Sequence, residues 1–147
     1  MAAITAYKYL RDGGPTQRTT GSVTFTTAAS DTITHPSSGN TIMSLASGVL
    51  TLVFGFIPRK FRVTNVTSRI QAEWFAPMAS GTSLDTAAAG TRTLNTSAPF
   101  TISQRTGAGG SSTQAGGSAD TTAGGVVVLT LSGFATDADT IVWEAVD

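Results

Sequence analysis

F-G-F-I-P-R-K-F-R-V-T-N-V-T-S-R-I-Q-A-E-W-F, residues 54–75, joins the most apolar run of the chain to its one cluster of basic residues. An alternating segment that ends on an aromatic pair follows. With Thr67-Ser68 as the turn, Val66 opposes Arg69, Thr64 opposes Gln71 and Arg62 opposes Glu73. Phe61, Val63, Ile70, Ala72 and Trp74 then point inward, with Asn65 at the end. Arg62, Thr64, Arg69, Gln71 and Glu73 point outward. A slip of one residue would flip every side chain, so this agreement between the two halves predicts a β-hairpin. Thr-Ser is a weak pair for a two-residue turn.

Upstream, Leu50, Leu52, Phe54 and Phe56 share one face of a strand, and Val49, Val53 and Ile57 share the other. Apolar character on both faces predicts a strand that is central or covered by another subunit. Gly55 marks a bulge or a close backbone approach, and Pro58 ends the run.

Further out, Val23–Thr27 alternates as a short strand, and Thr32-Ile33-Thr34 lies between two turn clusters. Thr41–Ala46 is another strand. Ala76–Gly90 is small and polar and reads as a loop. Thr91–Thr96 and Phe100–Ser103 read as strands broken near Pro99. Val126–Leu131 is a strand apolar on both faces. Ala135–Asp139 is a turn, and Thr140–Val146 a closing strand with Ile141, Trp143 and Ala145 on one side. Residues 1–21 read as an arm in which Tyr7 and Tyr9 share a side. It either docks on a neighbouring subunit or forms an edge strand followed by a loop. Residues 107–125 are Gly/Ser-rich, and a loop that long in a domain usually serves function or contact with a partner. The expectation is an all-β, single-domain antiparallel fold spanning 1–147, built as a sandwich or barrel.

Composition agrees. Charged residues are 12% of the chain, about half the usual share, and the formal net charge is zero. Nucleic-acid binding needs a positive field, so that class is disfavoured. Low charge also limits the solubility of a free monomer and points to surface covered by partners. Threonine dominates, whereas lysine and glutamate are scarce, which favours strands over helices. There are no cysteines, which removes disulfides, thiolate metal sites and a cysteine nucleophile. The first residues lack the apolar core of a signal peptide, and no run reaches the roughly 20 residues of a membrane span.

No catalytic motif stands out. His35, the single histidine, sits before Pro36 without a nearby acid or nucleophile. The glycines at 107–110 lack the ending and the helix of a phosphate loop. Asp137-Ala138-Asp139 lacks the remaining ligands of a calcium loop and reads as turn polarity. Glu73 beside Trp74 and Glu144 beside Trp143 suggest a glycosidase pair only superficially, because each glutamate alternates opposite its tryptophan. Catalytic, cofactor and metal residues are therefore expected to be absent. The candidate partner-interface residues are Tyr7, Tyr9, Arg59, Lys60, Arg62 and Arg69. The basic group is either a solvated strand face or an electrostatic dock for an acidic surface.

The run at 56–75, M-A-S-G-T-S at 78–83, A-G-T-R-T-L-N-T at 89–96 and T-I-V-W-E-A-V-D at 140–147 together resemble the decoration, or cement, proteins of tailed bacteriophage heads. The resemblance covers about half of the chain, and neither the arm nor the Gly/Ser-rich loop carries it. It implies a β-sandwich of jelly-roll type. It also implies a homodimer or homotrimer that binds the major capsid protein on the outer surface of the head. It implies no enzyme activity and no nucleic-acid or membrane partner. The rival expectation is a tail-associated or carbohydrate-binding module, which would expose aromatics, whereas both tryptophans read as inward.

Overall fold

A computed structural model describes residues 4–12, 18–26, 30–34, 39, 41–54, 56, 58–79, 81–102 and 126–146. His35, Gly55, Ile57 and the 107–125 loop lie outside the described residues, so the expectations about them are left there.

The described residues form twelve strands and no helix. They are β1 (Ile4–Asp12), β2 (Arg18–Phe25), β3 (Asp31–Thr34), β4 (Thr41–Ala46), β5 (Val49–Val53), β6 (Lys60–Asn65), β7 (Ile70–Phe75), β8 (Ser83–Thr86), β9 (Arg92–Asn95), β10 (Phe100–Ile102), β11 (Val126–Thr130) and β12 (Thr140–Val146). Two sheets result, one of seven strands in the order β1-β2-β12-β6-β7-β8-β9 and one of five in the order β10-β11-β5-β4-β3. Every adjacent pair is antiparallel. The all-β antiparallel expectation holds.

Residues 54–75 turn out to link the two sheets. β5 belongs to the five-stranded sheet, flanked by β11 and β4, the central position its two apolar faces called for, but it ends at Val53 rather than at Pro58. After Val53 the chain crosses over, and β6 and β7 join the other sheet. The crossing carries Phe54 and Phe56 into the core, where their rings stack at 5.8 Å. Phe54 also meets Phe61 of β6 and Trp143 of β12, and Phe61 meets Phe100 of β10 edge-on at 5.0 Å. This aromatic group ties both sheets together. Burying each such ring contributes roughly 1.5–3 kcal/mol.

The hairpin register is as expected, with Arg62 opposite Glu73 and Thr64 opposite Gln71. Its turn is different. Four residues, 66–69, separate the strands, and Asn65 organises them. The Asn65 carboxamide oxygen accepts from the backbone N–H groups of Thr67 (3.0 Å) and Ser68 (3.1 Å). Arg69 adopts φ 65° and donates its N–H to the Asn65 carbonyl. An asparagine side chain standing in for backbone does what Thr-Ser could not. Asn65 is fully buried, and its Nδ2 donates to the Phe134 carbonyl (2.9 Å) and to Asp139 Oδ2 (2.8 Å). Thr136 donates to the same carboxylate oxygen from its N–H at 2.9 Å and from its hydroxyl at 3.3 Å. These donors, Asn65 foremost, hold the Asp139 carboxyl below its ordinary value, and burial opposes them only in part.

Two segments depart from expectation. Within the first 21 residues, Ile4–Asp12 is an edge strand, the second of the two readings, paired along its length with β2. Polar residues such as Thr19 and the side-chain-free Gly21 hide the inward side of β2. A Cβ on Gly21 would lie 2.5 Å from the Trp143 ring and collide with the Lys8 carbonyl, so only glycine lets Trp143 lie there. The expected loop 76–90 contains β8, whose inward residues are Ser83 and Asp85 rather than apolar ones. Ser83 donates to Asp85 at 2.6 Å and Asn95 donates to it at 2.8 Å, which lets polar groups face inward.

Candidate interaction surface

The pleat sends every second side chain of the seven-stranded sheet outward. One outward row crosses all seven strands in register: Leu10, Thr20, Glu144, Arg62, Glu73, Leu84 and Leu94. At the usual strand spacing it is about 30 Å long. Neighbouring rows add Arg18 beside Val146, Lys60 and Phe75 on one side. Lys8, Ser22, Val142, Thr64, Gln71, Thr86 and Arg92 lie on the other.

Two glutamates organise the charges. Glu144 accepts Arg18 at 2.6 Å and Arg62 at 3.3 Å. Glu73 forms looser ion pairs with Arg92 at 3.6 Å and Lys60 at 3.8 Å. The carboxylate side chains are 13–17% exposed and the cationic ones 41–56%, so the acids lie low in the sheet and the cations stand above them. A shallow groove of about 330 Å³ runs between Arg18, Arg62 and Glu144. Arg62 and Glu73 stand opposite each other, yet neither bonds the other. Each has a partner on another strand.

The expected interface residues fall into separate places. Lys60 and Arg62 share the outer face. Arg59 precedes β6, with its N–H donating to the Val146 carbonyl, and Arg69 lies in the turn at the far end of the hairpin. Strand rise separates these two by roughly 20 Å. Tyr7 is exposed on the edge strand. Tyr9 is engaged within the chain: its ring meets Trp143 edge-on at 5.5 Å, and its hydroxyl donates to the Val53 carbonyl at 2.8 Å. Arg18 and Arg92 join the same face from the expected arm and from a short isolated strand. Their signal was alternation alone, and register was needed to place them beside glutamates.

No protein-family model matches the chain, and neither the curated proteins nor the solved structures include a match. The surface must therefore be read from its own chemistry.

The second sheet differs sharply. Asp31 is the only charged residue on its five strands. Its outward positions include Ser44, Val49, Thr51, Val53, Val128 and Thr130, most of them half-buried. Eight of the nine basic residues lie on the strands of the seven-stranded sheet or in the segments directly flanking them. Elsewhere, Trp143 is buried as expected, but Trp74 is half-buried and lines an open cleft of about 270 Å³ with Met78, Phe100 and Ile102. Its Nε1 donates to the Ala79 carbonyl at 3.3 Å. Among the described residues, no three of the His, Asp and Glu side chains gather in a way that would hold a metal ion.

Proposed function

We propose that this chain is a structural, non-enzymatic virion protein. In this reading it decorates and stabilises the outer surface of a tailed-phage head by binding the major capsid protein. The sandwich is then of jelly-roll type and works as a homodimer or homotrimer, with no cofactor and no nucleic-acid or membrane partner. The observation that carries this reading is the segregation of charge: one sheet bears nearly all the cations and the other bears almost no charge. A protein with two dissimilar outer faces is suited to lie between a partner surface and further copies of itself. The charged face supplies orientation on the shell. The neutral face supplies contact between copies. The sequence resemblance at 56–75 and 140–147 supports the same role.

Copy number tests it. Quantitative mass spectrometry of virions carrying the chain should find hundreds of copies per particle, removable together with a layer of outer density. A handful of copies would sink the decoration reading. One observation favours a second reading, a carbohydrate-binding or tail-associated module: the Trp74 cleft presents an aromatic beside threonines, as sugar sites do. Glycan-array binding lost on Trp74→Ala would favour it.

A further inference from the structure

We propose that the outer face of the seven-stranded sheet is a docking surface for a carboxylate-bearing protein surface. This rests on the structural reading above and specifies its contact. The face holds five cations, Lys8, Arg18, Lys60, Arg62 and Arg92, against two carboxylates among the described side chains. Four of those cations are splinted by the low-lying glutamates. Holding a guanidinium in place before binding removes part of the ordering cost that a free arginine would bear. The exposed edges of these arginines remain available to a second carboxylate, in the planar geometry that arginine favours.

The ends of the central row add a second component. Leu10 is 64% exposed and Leu94 62%, the two most exposed large apolar side chains among the described residues. Each sits on an edge strand, at opposite ends of the same row as Glu144, Arg62 and Glu73. A protein partner lying along the row would cover both of them. The partner is therefore a protein surface rather than a polyanionic chain. Two facts weigh against nucleic acid. The glutamates within the row would repel a continuous line of phosphates, and the zero net charge gives no long-range attraction for a polyanion. The face is of modest size, so contact with one partner is weak, and a repeating partner engaged by several linked copies gains by avidity.

Fluorescence anisotropy of the full chain with a short labelled peptide in which single glutamates are spaced by leucine and serine tests the proposal, with a DNA duplex of equal charge in parallel. The peptide is expected to bind, and raising salt from low to physiological should weaken it steeply. The triple variant R18Q/R62Q/R92Q should lose about tenfold or more in affinity, while R59Q/R69Q, at the two ends of the hairpin, should change little. In case the triple variant folds poorly, Glu73→Gln with Glu144→Gln gives a readout of opposite sign, since removing two negative charges from the face outweighs the lost splinting and should tighten peptide binding. Equal or tighter binding of DNA overturns the proposal. So does absence of peptide binding, or equal loss in the two arginine variants. Copy number in virions does not depend on this result, so either reading can fail while the other stands.

Discussion

The outer faces of the two sheets follow different rules although one core supports both. The five-stranded sheet is built by simple alternation: leucine, methionine and valine inward, with threonine, serine and valine outward. Asp31, which accepts from the Ile4 and Thr32 N–H groups, is its one charged residue. The seven-stranded sheet depends on particular residues in particular places. Gly21 makes room for Trp143, Asn65 closes the hairpin turn, Asp139 anchors Asn65, and two glutamates hold four cations. Apolar alternation makes a stable layer. Distinct polar placements make a layer that a partner can distinguish.

The largest effect should come from the simple layer. Leu52→Ala empties a fully buried position between β4 and β11 and should cost about 2–5 kcal/mol in denaturant unfolding. A loss below about 1 kcal/mol would mean that the sheets do not pack there. Next comes the polar anchor. Asn65→Ala removes four hydrogen bonds at a buried site and should cost about 2–3 kcal/mol, with the added signature of a mobile 66–69 turn in amide exchange.

The same anchor predicts a pH effect. The Asp139 carboxyl is lowered in the fold, mainly by the Asn65 hydrogen bond, so the unfolded chain takes up its proton first as pH falls. The stabilisation is complete above the ordinary aspartate value, 3.8, and is lost as pH falls through the lower folded value. Asp139→Asn should flatten the acid limb of the stability curve relative to wild type, and an unchanged limb would remove Asp139 from the anchor.

The smallest effects separate the two faces. Exchanging Arg62 and Glu73 should not restore a pair, because the glutamate created at 62 meets Glu144 and the arginine created at 73 meets Lys60 and Arg92. A double-mutant cycle should show each single change costing up to about 1 kcal/mol, with no favourable coupling in the double. A rescue would mean that Arg62 and Glu73 pair directly. Thr51→Lys, on the neutral face, should alter monomer stability by less than about 0.5 kcal/mol and instead reduce self-association in analytical ultracentrifugation.

Much of the fold was legible where both members of a strand pair alternate. The pairing of Phe61–Asn65 with Ile70–Phe75 was readable because inward and outward sets agree on both strands, whereas the turn between them was not. β8 was not, since Ser83 and Asp85 face inward and local chemistry offers no apolar signal. β2 was readable only from Val23 onward, because Thr19 and Gly21 look like loop residues until Trp143 is placed over them, and β1 stood as one of two readings of residues 1–21. At the surface, Lys60 and Arg62 were visible as part of a basic run, but Arg59 and Arg69 were grouped with them by sequence proximity alone.

Alternation and composition by themselves determined that residues 54–75 contain a hairpin, and that the chain is β-rich with little charge. Both depend on neighbours in sequence, and period-two geometry is local. Only the tertiary structure decided that this stretch passes from one sheet to the other. It alone decided that β12 lies between β2 and β6, and that Arg18, Glu144, Arg62, Glu73 and Arg92 form one charged surface. These are contacts between residues far apart in the chain, Arg18 and Glu144 standing 126 positions apart. Sheet order and register set such contacts, and no local pattern encodes them.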